Sequence, residues 1–172
     1  MPALRKHCLP YIAANAVQVE LVGDACLRRG VKRVVDLGSG DGVVCVSLAR
    51  RLGIEAVGYE LNPWLVAYSR ANARWHGVQH LAKFHCKNLF HADVRQADAV
   101  VLFVVPAMMT DIAAKLDMEM KDDACVLAGR FPMKPWEPHE HVESSTFTSG
   151  YNINQMWVYQ TKDRPHFPGP VK

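Results

Sequence analysis

The stretch VVDLGSGDGVV, residues 34–44, constrains this chain more than any other. A β-branched run halts at Asp36, glycines occupy positions 38, 40 and 42, and apolar residues resume at Val43. Such a chain runs extended, reverses through residues that tolerate a positive φ, and re-enters as a helix. Strand, glycine turn and helix in that order open an α/β sheet whose ligand lies against the turn.

The flanking sequence continues the alternation. Residues 11–30 read as a helix stopped by Gly30, and 32–37 as a short strand. Residues 42–53 read as a helix with Arg50 and Arg51 in its last turn, and 55–61 as a second strand. Residues 62–77 begin with Asn62 as N-cap and Pro63 at the first helical position. They place Trp64, Ala67, Tyr68, Ala71 and Trp75 on one face. Residues 81–89 form a third strand, and the apolar run 97–105 a fourth, buried on both faces. Residues 106–120 form a helix with Met109, Ile112, Ala113, Leu116 and Met120 on one face. The pairs Asp111–Lys115 and Lys115–Glu119 lie on the other. Residues 123–131 make a fifth strand.

This order predicts an α/β fold, a doubly wound, mostly parallel sheet with helices on both faces. After a proline-rich connection, residues 142–150 and 154–162 read as an antiparallel hairpin added at the sheet edge. The 172 residues suffice for one domain, taken as 1–160, with 161–172 a loose proline-rich tail.

Composition excludes several classes. Twenty basic against seventeen acidic residues leave a charge of +3, too mild to argue for nucleic acid. No apolar run reaches the roughly eighteen residues of a membrane span, and MPALRKHCL is too short and polar for a signal peptide. The five cysteines are widely spaced without a CxxC, as in a reduced protein, with Cys45 and Cys86 read as packing residues. His139 and His141 share a side of an extended chain. Without a third ligand they read as surface histidines, and no metal is assigned.

A dinucleotide turn would place its third glycine five positions after the first, where this chain has Val43, and a P-loop would continue with GK[ST]. The pattern DxGxGxG instead resembles the nucleotide-binding turn of the class I S-adenosylmethionine methyltransferases. That resemblance implies S-adenosyl-L-methionine as cofactor and S-adenosyl-L-homocysteine as product. It sets Asp36 toward the donor's ammonium and brings the Gly38, Ser39, Gly40 and Gly42 backbone close to the ligand. Glu60, with Leu61 and Asn62 beside it, would hold the ribose hydroxyls through bonds worth about 1.5–3 kcal/mol. Asn88 and Leu89 would face the adenine, and Val104 would complete the site. An NAD ribose would also suit Glu60, which leaves a redox alternative.

A longer resemblance runs from Tyr11 to Tyr159. PYIAANAVQVE, VVDLGSGDG, AVGYELNPWLVAYSR, GRFPMKPWEP and MWVYQ are similar, in order, to a small family of mitochondrial protein-lysine methyltransferases. Its members modify the adenine nucleotide translocase and the c-ring protein of ATP synthase. GYELNPWLV is the most specific piece, and the family's acid–Leu pair after the third strand is Asn88–Leu89 here. The resemblance implies a protein substrate bearing a target lysine, a mitochondrial membrane protein among the candidates, and a monomeric enzyme. It implies a mitochondrial address. The polar N-terminus, lacking the apolar segment of animal members, by itself implies a cytoplasmic one.

The sulfonium methyl of such a donor is already activated, so the protein must hold a neutral amine in line with it. Lysine titrates near pH 10.4, and deprotonation near pH 7.4 costs about 4 kcal/mol, which a desolvated pocket lowers. By position and resemblance, Val105 and Pro106 lie where amine methyltransferases offer loop carbonyls, and Tyr11 would close over the methyl. Trp64, Phe131 and Trp136 are candidate walls of a lysine channel. Core packing is the competing reading for these aromatics, and the favoured one for Trp75 and Trp157. Two other functions fit the same residues: transfer to a small amine or another protein site, and donor binding without catalysis.

Overall fold

A computed structural model describes residues 13–144 and 152–165. Tyr11, residues 145–150 of the expected hairpin and residues 166–172 of the expected tail lie outside the described residues. The elements are α1 (Ala16–Arg28), β1 (Arg33–Leu37), α2 (Val43–Leu52), β2 (Glu55–Glu60), α3 (Pro63–Trp75), β3 (Ala82–Cys86), β4 (Ala99–Leu102), α4 (Pro106–Glu119), β5 (Cys125–Gly129), β6 (Glu140–Glu143) and β7 (Gln155–Gln160). One seven-stranded sheet has the order β3-β2-β1-β4-β5-β7-β6. Its first five strands run parallel, and β7 is antiparallel to both β5 and β6.

Strand alternation divides the core. Val35, Leu37, Val57 and Tyr59 join Met109, Ile112 and Leu116 of α4 on one face. Val34 and Val101 join Val22 of α1 and Leu48 of α2 on the other, where Ala56 and Phe84 meet Val66 and Ala73 of α3. So α1, α2 and α3 cover one face and α4 covers the other. Every residue of β4 is buried, and each fully buried Val or Leu there contributes about 1.5–3 kcal/mol.

Several boundaries differ from the sequence reading for local reasons. The first helix starts at Ala16, five residues late, because Asn15 and Gln18 form a reciprocal capping box. Asn15 Oδ1 accepts from the Gln18 amide at 2.9 Å, and Gln18 Oε1 accepts from the Asn15 amide at 3.0 Å. The third strand stops at Cys86, since Asn88 caps a 3-10 turn at Leu89–His91. The fourth stops at Leu102, leaving Phe103, Val104 and Val105 as a loop. The hairpin's first strand begins at Glu140, within the histidine pair, with β7 lying between it and β5. There Glu140 pairs with Arg28 and Arg29, and His141 stacks on Trp157 at 4.6 Å.

Three expected placements are corrected. Lys115 is not on a solvated face: it is buried, and its Nζ donates to the Ala92 carbonyl at 2.8 Å and to Glu119 at 2.6 Å. Cys86 is exposed rather than packed, whereas Cys26, Cys45 and Cys125 are buried free thiols. The stripe Trp64, Ala67, Tyr68, Ala71, Trp75 faces solvent. Trp64 is 83% exposed, Tyr68 58% and Trp75 87%, while α3 buries Val66, Ser69 and Ala73. At the C-terminal end, Thr161 is buried, with its hydroxyl donating to the Lys121 carbonyl, and Arg164 donates to the Met120 carbonyl. Among the described residues no helix is long and apolar enough to cross a membrane.

The loop after β4 is fixed by Phe103, whose ring fills the space where a Cβ at Gly129 would lie, with the Arg130 guanidinium 5.6 Å above it. Gly129→Ala should therefore cost about 1–3 kcal/mol by overpacking. Urea unfolding should show that loss, and Phe103→Ala in the same chain should remove most of the extra cost. An unchanged midpoint for Gly129→Ala would mean that Phe103 does not hold this loop.

Candidate active site

Parallel pairing brings the C-terminal ends of β1, β2, β3 and β4 to one edge of the sheet. The chain winds outward from β1 to β2 and β3, then crosses back to β4 on the other side of β1. The crevice at such a reversal is where open α/β sheets bind ligands. The glycine turn lies in it.

All three turn glycines have positive φ: 85° at Gly38, 53° at Gly40 and 76° at Gly42. The Gly38 and Ser39 amides both donate to the Tyr59 carbonyl, at 2.8 and 3.0 Å, stitching the turn to the end of β2. The Gly42 amide donates to the Ser39 carbonyl at 2.8 Å, and Gly42 then caps α2. A Cβ at Gly42 would lie 2.7 Å from the Phe84 ring and 2.8 Å from Ser69 Cβ, so the rear of the turn is closed. Its front is open: Gly38 is exposed, and a Cβ there would meet only Val104 Cγ1, at 3.9 Å.

Glu60 spans the turn and the start of α3. Its Oε2 accepts from the Gly40 amide at 3.1 Å and its Oε1 from the Asn62 amide at 2.8 Å. Each oxygen keeps further acceptor capacity, which suits a vicinal diol. Asn62 spends its side chain on capping α3, accepting from the Trp64 amide at 3.0 Å, and Leu61 beside it is exposed. Asn88 stands at the end of β3 on the same edge, its Oδ1 accepting from the Phe90 amide at 3.0 Å. Leu89 packs half-buried against the α4-side core.

Asp36 is enclosed beneath the turn rather than lining an open surface. The Cys45 thiol donates to its Oδ2 at 3.8 Å. Burial, and then the carboxylates of Glu60 and Asp41, push its pKa up to about 7, with the thiol's hydrogen bond opposing them. A buried carboxyl of this kind is relieved by a nearby cation.

At the end of β4, Val105 caps α4 and its carbonyl accepts from the Met108 amide at 3.1 Å, with Pro106 exposed at the first helical position. Among the described residues the Val104 carbonyl accepts no hydrogen bond, which makes it the more open acceptor. Phe131 packs half-buried on the same core as Val104 and Val105. Trp136 is a core residue, edge-on to Tyr159 at 6.4 Å, and the exposed Trp64 walls no channel. Trp157 is half-buried beneath His141, whereas Trp75 is not packed at all. Among the described residues no three His, Cys, Asp or Glu side chains gather as metal ligands.

Sequence reasoning missed the supports behind the turn. Ser69 Oγ donates to the Gly40 carbonyl at 3.2 Å, and a Cβ at Gly58 would lie 2.5 Å from Ser39 Oγ. Gly58, isolated in a strand, is the one signal of that close approach that the sequence carries.

Residues 36–140 match the ANTKMT methyltransferase domain family. The chain is 45% identical to the human lysine N-methyltransferase of the ATP synthase c-ring protein, over 99% of this chain and 74% of that protein. The chain belongs to this family. It is also 36% identical to the mouse adenine nucleotide translocase lysine N-methyltransferase, over 95% of this chain and 66% of that one. The structure of an RNA methyltransferase from Salinibacter ruber, in complex with S-adenosylhomocysteine, superposes with a TM-score of 0.79 at 25% identity. It covers 94% of this chain and 99% of that one. The protein is thus a class I, S-adenosylmethionine-dependent methyltransferase from a family of protein-lysine N-methyltransferases. The open glycine front, the bridging Glu60 carboxylate and the cation-seeking Asp36 fit that donor.

Glu60→Ala should weaken S-adenosylhomocysteine binding about ten- to hundredfold, since about 1.4 kcal/mol is a factor of ten. Calorimetric titration reads this, and undiminished affinity would remove Glu60 from the ribose site. A second expectation concerns pH. With its pKa raised from 3.8 to about 7, Asp36 keeps a proton in the folded protein that the unfolded chain has released. Its contribution to stability therefore falls as pH rises from about 4 to about 7. Asp36→Asn should flatten that part of the melting-temperature profile, and an unaltered slope would place its origin in other groups.

Proposed function

We propose that this methyltransferase modifies a lysine side chain of a mitochondrial membrane protein, with the amine received at the loop that follows β4. The carrying observation is the Val104 carbonyl, which accepts no hydrogen bond among the described residues, on a residue whose side chain lies over the open front of Gly38. S-adenosylmethionine, when bound, supplies a methyl already activated by its sulfonium.

The chain's own residues orient and desolvate. A carbonyl accepts from an amine N–H and fixes the direction of the nitrogen lone pair. Val105, Leu89 and Phe131 make the surroundings apolar. That disfavours the lysine ammonium and reduces the cost of about 4 kcal/mol for presenting the amine neutral near pH 7.4. No obligatory base is needed if the proton leaves to water before the amine is enclosed. Asp36 and Glu60 lie at the ends of β1 and β2, on the donor side, and serve donor binding. The names of the human and mouse relatives, which refer to the ATP synthase c-ring protein and to the adenine nucleotide translocase, support the acceptor class.

The test is transfer of tritiated methyl from S-adenosylmethionine into mitochondrial membrane proteins and, in parallel, into a soluble extract. Label recovered as methyllysine from membrane proteins is the expected result, and Gly38→Val should abolish it by filling the turn. Label confined to soluble proteins would move the substrate out of the membrane. Label confined to small molecules would make the acceptor a small amine. Donor binding without any transfer would leave a binding module.

A further inference from the structure

The active site accounts for none of the aromatic side chains displayed by α3. Trp64, Tyr68 and Trp75 project from its outer face, with exposed Ala67 and Ala71 between them. The helix packs on α2, β2 and β3 through its opposite side. At about 1.5 Å per residue the three rings span roughly 16 Å along a convex ridge. Large aromatic rings left in water on a soluble protein mark a surface that meets something.

Charge shows what it meets. From Leu61 to Ala92 the chain contains no Asp or Glu, so all seventeen acids lie elsewhere. The same segment carries Arg70, Arg74, Lys83 and Lys87, together with four histidines. Arg70 is committed to the Phe84 carbonyl, at 2.7 and 3.1 Å. Arg74, Lys83 and Lys87 are exposed, and β3, which bears Lys83, is the edge strand of the sheet. Trp and Tyr settle at the level of lipid headgroups, and flanking Lys and Arg are drawn to anionic phospholipids. A partner helix would need a groove, whereas α3 presents a ridge, which suits a plane.

We propose that α3 docks this protein on an anionic phospholipid surface, with Trp64, Tyr68 and Trp75 entering the interface and Arg74, Lys83 and Lys87 meeting the headgroups. Trp64 follows Glu60 by four residues, so docking sets the β2 end of the donor site beside the bilayer. The inference stands independently of the acceptor proposed above, because it concerns the protein without donor or substrate.

Two of the four tryptophans, Trp64 and Trp75, are exposed, while Trp136 is buried and Trp157 half-buried. Titration with vesicles of phosphatidylcholine plus about a third phosphatidylglycerol should shift the emission to the blue and sediment the protein, and pure phosphatidylcholine should do so weakly. Tyr68→Ser with Trp75→Ser should weaken vesicle binding at least about tenfold. Arg74→Glu with Lys83→Glu should erase the preference for anionic lipid. In both variants the rise in melting temperature with S-adenosylhomocysteine should persist, showing an intact fold and donor site. No vesicle binding by the unaltered protein overturns the proposal, as does binding that both double variants retain in full. Binding of a single-stranded RNA oligomer without vesicle binding would assign the face to base stacking instead. Self-association lost on Tyr68→Ser with Trp75→Ser, without vesicle binding, would assign it to a second copy.

Discussion

The Tyr59 carbonyl at the end of β2 is the point on which the site depends. It accepts from both the Gly38 and Ser39 amides, so the glycine turn hangs from the neighbouring strand rather than from its own helix. The next residue, Glu60, returns the connection by accepting from Gly40 and Asn62. Two adjacent residues of β2 thereby fix the turn's height, the start of α3 and the direction of the carboxylate. This explains why the turn needs backbone freedom at its front and tight packing behind. Its amides are already used, and what remains for a ligand is the open space over Gly38 and the spare lone pairs of Glu60.

How much of this was legible in the sequence follows from which forces are local. Strand and helix alternation is a periodicity of burial, and from Val34 to Gly129 it is clean enough to give the strand types and the doubly wound arrangement. The ends of elements are set by single hydrogen bonds. The Asn15–Gln18 box and the Asn88 cap each moved a boundary, and each was written in the sequence as a short polar pair beside an apolar run. The residues under the turn were not legible. Ser69, Phe84 and Cys45 meet Gly40, Gly42 and Asp36 only because the parallel strands fix their register.

The aromatic stripe of α3 fails for a different reason. Helical spacing of apolar side chains shows that they share a face, not that anything inside the domain covers it. Here the smaller residues Val66, Ser69 and Ala73 give the close approach to the sheet, and the large rings are left outside. Lys115 is the converse case. A charged residue spaced for a surface ion pair is drawn inward, because the Ala92 carbonyl and Glu119 together satisfy its ammonium. Size and available partners, rather than polarity alone, decided which side each residue took.

Both surprises bear on how charge is distributed around the site. Asp36, Asp41 and Glu60 gather at the ends of β1 and β2, and the last two raise the first by repulsion added to its burial. The free protein can relieve that repulsion by keeping a proton on Asp36. A cationic ligand relieves it by neutralising the cluster, and so competes with that proton. Immediately beyond Glu60 the sign reverses, through a segment from Leu61 to Ala92 with no acid at all. The carboxylates are thus confined to the pocket, where a cation is to be bound, and kept off the flank. On a flank meant to approach an anionic surface, any Asp or Glu would add repulsion at a distance shorter than the Debye length of about 8 Å. One segregation of charge therefore serves two requirements, a cationic donor held inside and a negatively charged plane met outside.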